Sequence, residues 1–211
     1  MKICVYEARP DERGALERQA AHHGVELTVT DQVPTPENTS LAAGCEGVST
    51  LGQGRLDAAL LDAYHALGVR YLSTRTVGYD HIDLDHARAI GLRVCSARYD
   101  PNGVADFTVM LMLMCLRHYK QALWRGQVND FSLNGLQGRE MKDLTVGIIG
   151  TGRIGVQVAR NLSGFGCRLL AYDPRPNPAA EGLVTYVDLD ALLTQSDVIT
   201  LHMPLLDSNR H

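Results

Sequence analysis

Gly150-Thr151-Gly152-Arg153-Ile154-Gly155 has a spacing that chemistry can use. A short apolar strand, Thr145–Ile149, runs into it, and a helix-forming segment follows. A second apolar strand, Arg168–Tyr172, then ends on Asp173. Strand, glycines, helix, second strand and acid in that order make the dinucleotide fingerprint in its full context, not an isolated glycine-rich turn. Gly150 permits the tight strand-to-helix turn. Gly152 lacks a side chain, so the backbone can approach a pyrophosphate, and Gly155 lets the helix pack close to the strand. The helix N-terminus offers free N–H groups and a partial positive charge to the phosphates. Asp173 stands where a carboxylate accepts hydrogen bonds from the adenosine ribose and repels a 2′-phosphate, which favours NAD over NADP. Arg175, two residues on, is placed to soften that preference.

The elements that must hold this turn alternate along the whole chain. Ile3–Tyr6, Glu26–Val29, Gly47–Ser49, Val69–Ser73 and Leu92–Cys95 read as strands. Between them Glu12–His22, Leu56–Leu67 and Leu84–Ile90 read as helices, the last with Asp83 as N-cap and Gly91 as terminator. A βα repeat of this kind implies a parallel sheet covered by helices on both faces. After Pro101 one long helix is expected from about Asn102 to Gln127. Its centre, Met110 to Leu116, is apolar on every side, which places it either between domains or at a subunit interface. The polar stretch Asn129–Asp143 leads to the fingerprint strand. Beyond Asp173 come a proline-rich loop, a helix near Asp188–Thr194 and a strand over Asp197–His202. Two α/β units follow from this order, 1–98 and 99–211.

Composition narrows the partners. The net charge is −4 over 211 residues, which gives no electrostatic case for nucleic acid or an anionic membrane. The longest apolar run, Val109–Leu116, falls far short of the ~20 residues of a membrane span. The N-terminus enters a strand directly, without a signal-peptide layout. Five scattered cysteines with no CxxC spacing point to buried, reduced thiols in the cytoplasm and away from metal ligation or a disulfide framework.

Three further segments carry a family resemblance: Ser73-Thr74-Arg75-Thr76-Val77-Gly78-Tyr79-Asp80-His81-Ile82-Asp83, Tyr99-Asp100-Pro101-Asn102-Gly103-Val104-Ala105-Asp106, and Leu201-His202-Met203-Pro204-Leu205. With the glycine turn between the second and third, the chain resembles the D-isomer-specific 2-hydroxyacid dehydrogenases. Within them it is most similar to the D-lactate dehydrogenase branch, including the resistance-type enzymes that make D-lactate for the cell wall. The resemblance covers nearly the whole chain and is tightest from about 69 to 205. It implies two doubly wound parallel-sheet domains, an N-terminal flavodoxin-like substrate domain and a Rossmann NAD-binding domain incomplete at its C-terminus. It implies NAD as cofactor, a small 2-oxo acid such as pyruvate as substrate, and a homodimer built around the cofactor domain. Residue by residue, it gives the backbone N–H groups of Val77 and Gly78 the substrate carboxylate, and it turns Tyr99 towards the substrate. Arg153 and Ile154 match positions at the pyrophosphate, Met203 and Pro204 the adenine side, and Asn209 a position near the cofactor. Met203 is a mild departure from the family pattern. His81 and His202 match structural positions.

The fingerprint binds a cofactor but catalyses nothing by itself. Reduction of a 2-oxo acid needs a cation on the carboxylate and a general acid near the carbonyl oxygen. The resemblance implies an Arg, an acidic residue and a His in these roles, all after the strand that ends near Pro204 and past residue 211. No motif makes His211 that acid. The expectation is therefore part of a longer NAD-dependent dehydrogenase, because half a Rossmann sheet would expose a long apolar edge. A non-catalytic NAD(H)-binding or redox-sensing protein of the same fold, and an inactive fragment, are the alternatives that the residues leave open.

Overall fold

Every strand pair in the computed structural model, which describes residues 1–205 and 209, is parallel. The chain divides into two units, Met1–Tyr99 and Asp100–His211.

The first unit runs β1 (Lys2–Val5), α1 (Pro10–His23), β2 (Glu26–Val29), a 3-10 turn (Pro36–Ala42), β3 (Gly47–Thr50), α2 (Ala58–Ala66), β4 (Tyr71–Thr74), α3 (Leu84–Ala89) and β5 (Arg93–Ser96). Its sheet order is β2-β1-β3-β4-β5, the flavodoxin-like order, with its switch point between β1 and β3. Local chemistry sets the helix starts. The Asp57 carboxylate accepts the Leu60 N–H at 3.0 Å, and Asp83 accepts the His86 N–H at 2.9 Å. Gly91 then closes α3 at φ +75°. The apolar stripe of α2 buries Leu60, Leu61 and Tyr64 against Cys4, Val48 and Leu72 of the strands.

At the switch point lies a feature that the sequence did not announce. Glu7, just past β1, is 3% exposed and left-handed at φ +55°. Its carboxylate accepts four consecutive backbone N–H groups beyond β3, those of Leu51, Gly52 (3.0 Å), Gln53 (2.8 Å) and Gly54 (3.2 Å). Arg75 donates to the Tyr6 and Glu7 carbonyls, both at 3.0 Å. The loops after β1, β3 and β4 are thereby tied together at the C-terminal edge of the sheet, where open α/β sheets bind ligands.

The second unit contains α4 (Asn102–Leu116), α5 (Tyr119–Gln127), β6 (Thr145–Ile149), α6 (Arg153–Ser163), β7 (Arg168–Tyr172), β8 (Thr185–Tyr186), α7 (Leu189–Gln195) and β9 (Val198–Leu201). Its order, β8-β7-β6-β9, is that of the first four Rossmann strands. The sequence reading missed β8, two residues long, which lies within a loop by composition.

The single helix expected over 102–127 is two helices. His118 is left-handed at φ +49° and ends the first. The Leu116 carbonyl accepts the Arg139 N–H at 3.0 Å, and the His118 ring Nε2 lies 3.1 Å from the Gln137 carbonyl. A segment about twenty residues downstream thus docks onto the break, and helical periodicity carries no trace of it. The all-round apolar character of α4 does have a structural counterpart. Ala105, Val109 and Met112 are buried in the core of this unit, while Met110 and Leu111 are more than 40% exposed.

The cysteines also differ from expectation. Cys4 and Cys45 are buried, and burial pushes the Cys4 thiol up to about 11. Cys95 and Cys115 are exposed in this structure, and Cys167, just before β7, is half-buried against the core of the second unit. No described helix is long and apolar enough to cross a membrane.

Candidate functional site

The glycines of the turn do three different jobs, and the geometry separates them. Gly150 is left-handed at φ +93°, and a Cβ there would stand 2.7 Å from the His202 carbonyl oxygen at the end of β9. Only glycine both turns there and lets β9 approach. At Gly155, one turn into α6, a Cβ would sit 2.0 Å from the Gly150 carbonyl oxygen, so α6 packs directly on the turn. Gly152 is the reverse case. Apart from its own chain neighbours, no atom lies within 4 Å of its would-be Cβ. It is the N-cap of α6. Open space beside the first N–H groups of a helix is a cradle for an anion, and it fits the pyrophosphate of a dinucleotide.

Asp173 ends β7 beside this turn. Its Oδ2 accepts the Thr151 N–H at 2.7 Å and the Thr151 hydroxyl at 3.2 Å, and its Oδ1 accepts the Arg175 N–H at 2.9 Å. Partial burial works against the charged form. The backbone donors of Arg175 and Thr151, with the Thr151 hydroxyl, outweigh it and hold the carboxyl below the usual carboxylate range. An anion is therefore kept at the strand end at neutral pH. Arg175 turns out to add a backbone donor to that carboxylate, a role its side-chain charge did not suggest.

The remaining residues expected on the cofactor side lie in the turn itself or in the segment after β9. Met203 and Pro204 follow β9, whose end touches Gly150, and both are exposed. Asn209 donates through Nδ2 to the Pro204 carbonyl at 2.9 Å. Arg153 is exposed at the start of α6, whereas the Ile154 side chain packs against the core of the unit. Position 154 therefore has only its backbone to offer the cradle.

The residues expected on the substrate side belong to the first unit. Val77 and Gly78 lie in the turn after β4, with the Thr76 hydroxyl donating to the Gly78 carbonyl at 2.7 Å. The Ala97 N–H donates to the Thr74 and Thr76 carbonyls, at 3.1 and 3.0 Å, which ties that turn to the segment leading to Tyr99. Tyr99, the last residue of the unit, is 46% exposed. All three share the C-terminal edge of the first sheet with the Glu7-tethered loop.

The two histidines read as structural are in structural settings. His81 packs its ring on Gly52, and its carbonyl accepts the Leu56 N–H at 2.8 Å. His202 Nε2 is 3.0 Å from the Thr200 hydroxyl, and burial lowers its pKa. His211 lies outside the described residues. Among the described residues no three His, Cys, Asp or Glu side chains gather as a metal site.

Comparison with known proteins adds an independent line. The family model described as "D-isomer specific 2-hydroxyacid dehydrogenase, NAD binding domain" matches residues 109–211. A D-specific alpha-keto acid dehydrogenase of Enterococcus faecalis is 38% identical over all of this chain, which spans 64% of that relative. An aromatic 2-oxoacid reductase of Clostridium sporogenes is 39% identical, again over all of this chain and 64% of the relative. Among solved structures, apo D-lactate dehydrogenase from Escherichia coli superposes with a TM-score of 0.86 at 39% identity, over 99% of this chain and 67% of that one. The chain thus spans about two thirds of the length of the proteins it matches.

Proposed function

Because the chain belongs to the D-isomer-specific 2-hydroxyacid dehydrogenases, whose NAD-binding module its second unit matches, we propose that the whole protein reduces a small 2-oxo acid, pyruvate first, to the D-2-hydroxy acid. The observation that carries this reading is the open cradle at Gly152 beside an ionised Asp173. Bound NADH supplies the hydride. The first unit, 1–99, is the substrate domain and the second, 100–211, the cofactor domain, a boundary one residue past the 98/99 expected from sequence. The Val77 and Gly78 N–H groups hold the substrate carboxylate, and Tyr99 faces its side chain. Arg153, Ile154, Met203, Pro204 and Asn209 complete the cofactor cleft. The reaction is placed in the cytoplasm, where reduced thiols such as the five free ones here persist.

The test is NADH oxidation by the whole protein against a panel of pyruvate, branched, aromatic and dicarboxylic 2-oxo acids. Pyruvate is expected to show the highest kcat/KM. A higher value for a bulkier acid would replace D-lactate as product, and NADH binding without turnover of any acid would leave the non-catalytic alternative.

Cofactor choice gives a sharper expectation. Asp173→Ser should narrow the preference for NADH over NADPH by ~1–3 kcal/mol, the size of a hydrogen bond to a charged group. Equal use of both cofactors by the unmutated protein would sink the assignment of Asp173.

Assembly follows from the second unit. A groove of about 610 Å³ is lined by Val109, Met110, Leu113, Met114, Tyr119 and Phe165. Trp124, Phe131 and Leu133 are 65–83% exposed on α5 and in the segment after it. Apolar surface on this scale marks an interface. The protein is read as a two-fold dimer centred on α4 and α5, with the Asn129–Asp143 segment reaching onto the partner. Light scattering on the whole protein at low micromolar concentration should give twice the chain mass. A monomer mass would return the apolar helices to an intramolecular role.

A further inference from the structure

We propose that Tyr186 and Asn177 are positioning residues that set Thr151, and through it Asp173, for recognition of the adenosine ribose. The inference rests on the reading that the glycine turn holds NADH. Thr151 sits in the middle of that turn and is 1% exposed. Its hydroxyl donates to Asp173 Oδ2 at 3.2 Å. The Tyr186 hydroxyl is 2.8 Å from the same Thr151 oxygen, and the Asn177 N–H reaches the Tyr186 oxygen at 2.9 Å.

The direction of this relay follows from the carboxylate and the shorter contacts. An ionised carboxylate only accepts, so Thr151 spends its one hydroxyl proton on Asp173. Thr151 then accepts from Tyr186 at 2.8 Å, shorter than the 3.3 Å from the Tyr186 hydroxyl to the Asn177 carbonyl, and the Tyr186 oxygen accepts a backbone N–H. Asn177 supplies that N–H. The Asn177 amide is oriented by a further pair of bonds. Its Oδ1 accepts the Ala179 N–H at 3.0 Å, which leaves Nδ2 to donate to the Thr151 carbonyl at 2.7 Å. Thr151 is therefore fixed on both sides, by Asn177 of the loop between β7 and β8 and by Tyr186 of β8.

This has a consequence for the ligand. A carboxylate has roughly four acceptor positions. Thr151 takes two on Oδ2 and the Arg175 N–H takes one on Oδ1. The position left on Oδ1 is the one a ribose hydroxyl can use. Tyr186, on a strand of two residues 35 positions from Thr151, thus decides which carboxylate oxygen meets the cofactor.

The experiment measures NADH and NADPH dissociation constants by nicotinamide fluorescence, and melting temperature, for the whole protein and for Tyr186→Phe, Thr151→Val and Thr151→Ser. Tyr186→Phe should weaken NADH about fivefold, the worth of one net hydrogen bond, and leave NADPH no weaker, so the ratio narrows. Thr151→Val should narrow it by roughly tenfold or more, because two bonds of the relay go. Thr151→Ser keeps the hydroxyl and should restore the parent ratio. Lower melting temperatures with an unchanged NADH-to-NADPH ratio in both Tyr186→Phe and Thr151→Val would reduce the relay to a structural role and overturn the proposal alone. Failure of the unmutated protein to bind NADH would overturn the cofactor reading and the proposal together.

Discussion

Gly152→Val is expected to abolish NADH binding while leaving the fold intact. The side chain would enter open space, with no protein atom beyond its chain neighbours within 4 Å of its Cβ and a backbone φ of −67° that valine adopts freely. That space is where the pyrophosphate must come close to the backbone. Affinity should fall by roughly a hundredfold or more, the ~3 kcal/mol upper range of overpacking a filled site. Gly155→Ala is the counter-experiment. Its Cβ would meet the Gly150 carbonyl at 2.0 Å, backbone against backbone, and α6 can escape only by leaving β6. That variant should lose stability rather than selectively lose affinity. Fluorescence titration with NADH and thermal melting separate the two cases. Undiminished NADH affinity in Gly152→Val would show that the pyrophosphate lies elsewhere.

Glu7→Ala is expected to destabilise the first unit by about 2–4 kcal/mol. The four N–H groups of Leu51, Gly52, Gln53 and Gly54 would lose their shared acceptor, and water at the partly exposed edge replaces only some of those bonds. The left-handed backbone at position 7 would also lose the side-chain contacts that hold it there. Glu7→Gln should cost less, because one carbonyl oxygen remains to accept, but its amide hydrogens oppose the loop's own donors. Urea unfolding followed by far-ultraviolet circular dichroism measures both. NADH affinity, a property of the second unit, should be unchanged in either variant. A Glu7→Ala protein that unfolds at the parent midpoint would show that solvent fully replaces the carboxylate.

Much of the cofactor half was legible from residue types and spacing. The glycine turn and its flanking strands follow one another directly in the chain, Asp173 ends the second of those strands, and in the first unit the Asp83 cap acts on an N–H three residues on. Strand boundaries such as Glu26–Val29 and Thr145–Ile149 were readable for the same reason, since hydrophobic periodicity is a local signal. The βα alternation also fixed parallel pairing, because right-handed crossovers leave few other arrangements.

What escaped the sequence depends on partners brought from afar. The break at His118 is made by a segment around residue 138 that takes the Leu116 carbonyl. The burial of Glu7 is made by backbone donors 44 to 47 positions away, whose amides carry no side-chain signature. Tyr186 looked like any aromatic in a loop until β8 paired with β7 and delivered its hydroxyl to Thr151. By itself the sequence determined the kind of chemistry, because a dinucleotide turn is a local arrangement of small residues around one acid. Only the tertiary structure decided how that acid and the loops at the sheet edges are held, because buried hydrogen-bond donors and acceptors must be satisfied by whatever the fold places beside them.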